Sequence, residues 1–302
     1  MHTPVWQQCL LQLEKELPPQ QFSTWIRPLQ AVENQEVLEI FDEGGSLSGQ
    51  DLTGLNLHRA VLSGVDLSGA DIRGINFRGA NLSGSNLSNV KSSEGILAEA
   101  NLRDSDLSGS DLSDTYLMEA RLYASDLSNC DLTGSNMSGA FMTGGVNLSN
   151  SSLVSSNLRG ADLSGAVIQN TDLTMATLRS VKLIGADASS SDFTSASLNG
   201  SDMTRINLTG ATLANAVLNS SKLEFARLDS ADLTEASLRR CMFRGASLQM
   251  AKLIKANLVF TDFQEADLTL ADLTESDLRG AILLGANLKW TDLSLTEFDR
   301  TN

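Results

Sequence analysis

Apolar residues recur at every fifth position through most of this chain, as in the stretch ADLTLADLTESDLRGAILLGANL (266–288). A helix repeats every 3.6 residues and a strand every 2, so neither element explains a period of five. The central position recurs 20 times from Leu47 to Met142 and is apolar at every one except Ser92. One extra residue then follows in segment 143–147, and the period resumes at 31 positions from Leu148 to Phe298. The pattern predicts one continuous array of 51 quintets.

Each quintet has further regular features around its apolar centre. A small residue stands two positions before the centre, Asp or Asn commonly stands one position before it, and two polar or glycine positions follow it. This arrangement directs two side chains of every quintet inward and three toward solvent. Four quintets then form a square coil of 20 residues, in which the sides are short strands and the corners are turns.

The motif A-[DN]-L-x-x, repeated over about 250 residues, resembles the pentapeptide-repeat family. The resemblance implies an all-β fold, a right-handed quadrilateral β-helix over residues 44–302, with a one-residue register shift near 143–147. With neighbouring coils ~4.8 Å apart, the rod is expected to be roughly 60 Å long.

The first 43 residues differ in composition from the repeats. The segment VWQQCLLQLEKELPPQQFSTWIRPLQ (5–30) predicts two amphipathic helices separated by two prolines, with Trp6 on the first and Trp25 on the second. We therefore expect residues 1–43 to form a small α-helical cap on the first coil, because the open end of a solenoid exposes apolar surface.

The same segment resembles the opening of domain I of the bacterial replication initiator DnaA, in the run W-Q-Q-C-L … E-L-P … F-x-x-W-I-R-P-L-Q (6–30). The similarity covers residues ~5–41, about half of that domain. In that family, domain I self-associates and binds the replicative helicase and initiation regulators, and Trp6 matches a position implicated in self-association. Three interpretations stay open: the segment only caps the rod, it keeps a surface for replication proteins, or it is disordered.

Charge and cysteine content limit the function further. The net charge of −15 argues against direct nucleic-acid binding, which requires clustered Lys and Arg. The three cysteines are widely spaced and form no C-x-x-C, which indicates a reducing compartment, the cytoplasm. No segment is apolar enough for a membrane span, and the N-terminus does not have the form of a signal peptide.

No catalytic, cofactor or metal site is predicted. The two histidines, His2 and His58, belong to no metal-ligand spacing and to no Ser/His/Asp arrangement, and neither G-x-G-x-x-G nor a P-loop occurs. We therefore expect a protein that is not an enzyme and needs no cofactor.

Carboxylates are the most regular feature of the predicted surface. At period 20, one column before the apolar centre holds Asp at nine of thirteen positions: Asp51, Asp71, Asp111, Asp131, Asp172, Asp192, Asp232, Asp272 and Asp292. The densest acidic segment, 99–131, contains Glu99, Asp104, Asp106, Asp111, Asp114, Glu119, Asp126 and Asp131. These side chains either bond the backbone of turns or form a charge row that imitates DNA.

The quinolone-resistance members of the pentapeptide-repeat family are acidic rods that occupy the DNA-binding saddle of gyrase and topoisomerase IV. The resemblance therefore implies a non-catalytic DNA mimic that binds a type II topoisomerase and protects it from inhibitors. Its candidate contacts are the eight carboxylates of segment 99–131 together with Asp51, Asp71, Asp172 and Asp192. The alternatives are a replication-interaction module, in which Trp6 and Trp25 contact initiator, helicase or regulators, and a structural scaffold.

An apolar stripe is predicted beside the last coils, because Met250, Leu270 and Trp290 recur at period 20 in one outward position. Exposed apolar surface near the end of a solenoid favours pairing. We expect a homodimer or another protein contact at this stripe.

Overall fold

The computed structural model describes residues 47–301, which form a four-sided β-helix. Within this range there is no helix and no strand longer than one bridged residue. The bridges are parallel and isolated, and they run from Asp51↔Asp71 to Asp277↔Glu297. The sides predicted as short strands are therefore single bridges, because the chain turns again after only three residues. The predicted helices and cap, with Trp6 and Trp25, lie outside the described residues.

The four faces are named here by their first bridges, and each includes the corner that follows it. Face 1 begins with Asp66↔Asn86, face 2 with Asp51↔Asp71, face 3 with Asn56↔Asn76 and face 4 with Val61↔Asn81. Bridged residues are 20 apart except across the extra residue, where Asp126 pairs with Asn147. The surplus residue lies at a corner where Gly144 and Gly145 both have positive φ, +76° and +79°.

Backbone hydrogen bonding explains why the chain repeats every five residues. In the quintet around Ile72, the N–H of Ile72 and the N–H of Gly74 donate to the next coil, and the N–H of Asp71 donates to the previous coil. The N–H of Ile75 closes the turn onto the carbonyl of Ile72 at 3.1 Å. One N–H per quintet remains, that of Arg73, and the Asp71 carboxylate accepts it. At this quintet and at many others, the Asp or Asn before the centre thus satisfies the donor that the backbone does not.

Stacked apolar centres fill the interior. The leucines at the centres from Leu47 to Leu278 are buried, and Phe243 and Phe263 stack with ring centroids 5.1 Å apart. Two quintets with an atypical centre, those of Ser92 and Ala188, keep the same register and are also buried. In the last coil, Leu283, Leu288 and Leu293 are only partly buried.

Every corner places its third turn residue at positive φ, the conformation that a type II turn requires. Of the 51 corners, 32 carry a residue other than glycine at that position. An L-residue there costs about 1–2 kcal/mol relative to its ordinary conformation. The stacked core therefore offsets strain at many corners.

Candidate protein-binding surface

The aspartate column of face 2 is continuous along the rod. Bridges join its consecutive members, beginning with Asp51↔Asp71 and Asp71↔Lys91 and ending with Asp272↔Asp292. All nine aspartates also accept the N–H two residues further on: Asp51, Asp71, Asp111, Asp131, Asp172, Asp192, Asp232, Asp272 and Asp292. Their position is thus explained by turn bonding.

Turn bonding does not explain why these residues are Asp rather than Asn. Face 3 makes the same bond through five asparagines and one aspartate: Asn56, Asn76, Asn136, Asn157, Asn257 and Asp277. Face 2 uses nine aspartates and no asparagine for it. Because a neutral amide oxygen performs the structural role, the negative charge of face 2 is a separate property.

Charge is divided between two halves of the rod, a feature that sequence analysis of single columns missed. Within residues 47–301, faces 1 and 2 carry 19 acidic and 6 basic residues, a net charge of −13. Faces 3 and 4 carry 11 acidic and 14 basic residues, a net charge of +3. Assigning every acidic and every basic residue to a face by counting at period 20 would have revealed this charge difference from the sequence.

The division is sharpest in the middle coils. Between residues 92 and 226, faces 1 and 2 contain nine carboxylates and no Lys or Arg. We call these nine residues the acidic side: Glu94, Asp106, Asp111, Asp114, Asp126, Asp131, Asp172, Asp187 and Asp192. The segment makes about seven coils ~4.8 Å apart, so the spacing is about one charge per 3.6 Å. One strand of duplex DNA carries one charge per ~3.4 Å.

The predicted acidic segment 99–131 is only partly brought together. Asp106 and Asp126 are bridged on face 1, and Asp111 and Asp131 are bridged on face 2 next to it. Asp114 lies at the corner of face 2. The other three members point elsewhere: Glu99 and Glu119 belong to face 3 and Asp104 to face 4.

Hydrogen bonding lowers the pKa of several carboxylates on faces 1 and 2, among them Asp71 and Asp187. The Arg73 guanidinium binds Asp71 at 2.7 Å and holds the pKa of that carboxyl below its usual value. At Asp187, partial burial acts to raise the pKa, but hydrogen bonds from Ser189, Gln169 and Asn207 lower it overall. Asp187 therefore contributes a full negative charge at neutral pH. Asp71, paired with Arg73, contributes less to the field of face 2.

The predicted apolar stripe lies at the corner between faces 1 and 2. Met250, Leu270 and Trp290 stack one coil apart and are 54%, 50% and 69% exposed. The Lys289 ammonium lies 4.0 Å from the centre of the Trp290 ring. The stripe thus presents a contiguous apolar surface to solvent.

Chemistry-bearing groups are scarce in the described part of the chain. Across residues 47–301, no group of His, Cys, Asp and Glu could hold a metal ion, and no helix is long and apolar enough to cross a membrane. Cys130 and Cys241 are buried as free thiols, and burial raises the pKa of each to about 12. Both thiols are therefore protonated and unreactive in the folded protein.

Comparison with known proteins places this geometry in a family. The model of pentapeptide repeats matches in successive segments from residue 46 to residue 294. The chain belongs to the pentapeptide-repeat family. The N-terminal residues 3–41 of this pentapeptide-repeat protein match the model of the DnaA N-terminal domain. Both resemblances identified in the sequence are confirmed.

Several solved pentapeptide-repeat structures are similar to it. HetL of the cyanobacterium Nostoc, involved in heterocyst differentiation regulation, is 31% identical over 73% of this chain and 90% of its own, with a TM-score of 0.41. Rfr23 of the cyanobacterium Cyanothece is 39% identical over 33% of this chain and 62% of its own, with a TM-score of 0.18. QnrB1, a plasmid-mediated fluoroquinolone resistance protein, is 19% identical over 72% of this chain and 91% of its own, with a TM-score of 0.26.

Proposed function

We propose that this pentapeptide-repeat protein is a non-catalytic, cytoplasmic rod whose acidic side binds the DNA-binding surface of a type II topoisomerase, gyrase or topoisomerase IV. The observation that carries the proposal is the row of nine carboxylates without a basic residue between residues 92 and 226. A surface that binds DNA phosphates is basic, so its best protein ligand is a stiff rod with a similar spacing of negative charge. Occupying that surface would compete with DNA and shield the enzyme from inhibitors that need bound DNA.

The test is gyrase supercoiling with and without the protein and a fluoroquinolone. Asp→Asn substitutions are suitable, because asparagine at equivalent positions, such as Asn86, makes the same turn bond. The acidic-side variant neutralises Asp106, Asp111, Asp126 and Asp131. A matched control removes the same number of charges from faces 3 and 4: Glu99→Gln, Asp104→Asn, Glu119→Gln and Glu265→Gln.

We expect the wild-type protein and the control variant to inhibit supercoiling or protect it from the drug, and the acidic-side variant to lose at least about tenfold in potency. Equal loss in both variants would mean that total charge matters and the acidic side does not. No effect of the wild-type protein at micromolar concentration would remove the topoisomerase from consideration.

A replication-interaction module is the second candidate, because residues 3–41 match the DnaA N-terminal domain. In this proposal the N-terminal segment contacts initiator, helicase or regulators through Trp6 and Trp25, and the rod is a spacer. Retention of DnaA or helicase on the immobilised protein, lost with Trp6→Ala and kept with Trp290→Ala, would support it. If neither partner is retained and gyrase is unaffected, a structural scaffold is the remaining interpretation.

Self-association through the apolar stripe is a separate proposal. Replacing Leu270 by Glu would place a charge between Met250 and Trp290, which are both exposed. A homodimer through this stripe should dissociate in the variant, as measured by sedimentation equilibrium. A wild-type protein that stays monomeric at high concentration would eliminate the homodimer.

A further inference from the structure

An aromatic patch lies on faces 3 and 4, on the opposite half of the rod from the acidic side and in the same coils. It consists of the bridged pair Ile96 and Tyr116 on face 3, with Tyr123 and Phe141 on face 4. All four side chains are exposed, Phe141 to 54%. Both tyrosines of the chain belong to this patch. Exposed aromatic residues are enriched at protein interfaces.

Tyr123 is fixed in place by its neighbours. The Arg103 guanidinium from the previous coil stacks on the ring at 4.9 Å from its centre. On the next coil the ring lies against Gly144, where an added Cβ would collide with it. A ring held on both sides loses little conformational entropy on binding, which favours its use as an anchor.

Two other exposed rings are arranged in a similar way and serve as comparisons. Phe225 lies between Arg205 and Gly245, and Phe260 between Arg240 and Gly280. An exposed ring in this rod can therefore have a purely structural role, that of covering a glycine at a corner of the next coil.

The patch at Tyr123 borders a shallow cavity. This cavity of about 420 Å³ is lined by Arg103, Arg121, Tyr123, Phe141 and Thr143. A second cavity of about 370 Å³ lies around the corner and includes Ile96, Tyr116 and Met118 in its lining. The two cavities share no lining residue, but they lie on neighbouring faces of the same coils.

Charge specifies the occupant of the face 4 cavity. Its lining holds two guanidinium groups and no carboxylate. Among residues 47–301, neither Arg103 nor Arg121 forms an ion pair. Arginine beside aromatic rings suits a ligand that combines an apolar side chain with a carboxylate.

We propose that the aromatic patch binds a protein segment in which an aromatic or aliphatic side chain stands beside Asp or Glu. A protein is favoured over single-stranded nucleic acid because the face 3 cavity is lined by Glu99, Glu119 and one cation, Arg78, which is paired with Glu99 at 2.7 Å. A phosphate backbone that crosses both cavities would be repelled there, whereas a peptide can place its one acidic side chain at the face 4 cavity. The acidic side excludes such an acidic segment by charge. The patch and the acidic side therefore select different partners, and both partners can bind to the same coils at the same time.

The experiment pans a random peptide library displayed on phage against the full chain and measures selected peptides by fluorescence polarisation. The test variants are Arg121→Glu and Phe141→Ser. The control is Phe225→Ser, which removes an equally exposed ring far from the cavity. The expected consensus is an apolar residue next to Asp or Glu. Binding should weaken about tenfold or more in both test variants and persist in the control.

A charge reversal sharpens the result, because Arg121→Glu should accept a peptide whose acidic residue is replaced by Lys. Several outcomes would overturn the proposal: no enrichment above Phe141→Ser, a basic consensus, or equal weakening in Phe225→Ser. Binding of labelled oligo-dT that Arg121→Glu abolishes would assign the patch to nucleic acid instead. Self-association abolished by Phe141→Ser would assign it to a second copy of the chain. None of these outcomes depends on whether gyrase responds to the protein.

Discussion

The corners of the rod allow one substitution to have opposite effects at two positions. Ala124 is the third residue of its turn and has a φ of +55°, whereas Ala214 is the second residue of another turn and is not among the residues at positive φ. Both side chains lie at corners and neither is buried. Ala→Gly at these two sites therefore isolates the effect of backbone conformation from that of core packing.

The magnitudes decide the sign at each site. Alanine at positive φ costs about 1–2 kcal/mol, and glycine costs about 0.5–1 kcal/mol more entropy on folding than alanine does. Ala124→Gly should thus stabilise the protein by about 0.5–1 kcal/mol. Ala214→Gly has no strain to relieve and should destabilise it by about the same amount. The two variants are expected to differ by about 1–2 kcal/mol.

Urea titration followed by circular dichroism measures this difference, with the wild-type protein between the two variants. The slope of the free energy of unfolding against urea should be equal in all three, since neither change alters the buried area. If both variants lose stability to the same extent, the third turn residue carries no strain, and our account of the corners is refuted.

Three further predictions concern the core and its titratable groups. Ser135→Ala should stabilise the protein by about 1 kcal/mol, because the buried Ser135 hydroxyl has no hydrogen-bond partner. Ser105→Ala should destabilise it by about 1 kcal/mol, because the Ser105 hydroxyl donates to a backbone carbonyl, and thermal melts of both variants measure the difference. Arg279 lowers the pKa of Asp277 in the folded protein, so their pairing stabilises the fold above the pKa of Asp277 in the unfolded chain, about 3.9, and this stabilisation is lost as the pH falls through the pKa in the folded state. Arg279→Gln should therefore reduce the drop in melting temperature between about pH 5 and pH 2. Cys241, whose pKa burial raises to about 12, should resist iodoacetamide at about pH 8 until urea unfolds the rod. Rapid labelling of Cys241 itself in the native protein, located by peptide mass spectrometry, would contradict its burial.

The repeat made the core and the outward columns predictable, because every quintet has the same inward and outward positions. The order of the aspartates on face 2 and the stacking of Met250, Leu270 and Trp290 follow directly from counting by 20. The single-residue bridges could not be predicted, since the apolar pattern does not reveal how many residues pair. Turn bonding by Asp71 was one of the two predicted roles, but its donor, the N–H of Arg73, was identified only by counting the backbone donors of the quintet.

The aromatic patch escaped prediction for a different reason. Tyr116 and Tyr123 belong to different faces, and Phe141 lies on the next coil, so no single column contains them. Their grouping depends on packing around a corner. Tyr123 also meets Gly144 at the corner that carries the extra residue, so the two contact positions are not equivalent in the repeat. Period counting assigns a residue to a face but does not describe contacts between faces.

Salt should distinguish the two binding surfaces. At about 0.1 M ionic strength the Debye length is about 10 Å, so a basic partner interacts with several carboxylates of the acidic side at once; at 1 M it is about 3 Å and that sum is lost. Binding at the acidic side should therefore weaken steeply with salt, and Asp111→Asn with Asp131→Asn should reduce the slope. Peptide binding at the aromatic patch combines the rings of Tyr123 and Phe141 with one acidic residue at Arg103 and Arg121, so it should weaken less steeply with salt than binding at the acidic side. Equal salt dependence for the two ligands, measured by fluorescence polarisation on one preparation, would show that charge governs both surfaces and would contradict their separation.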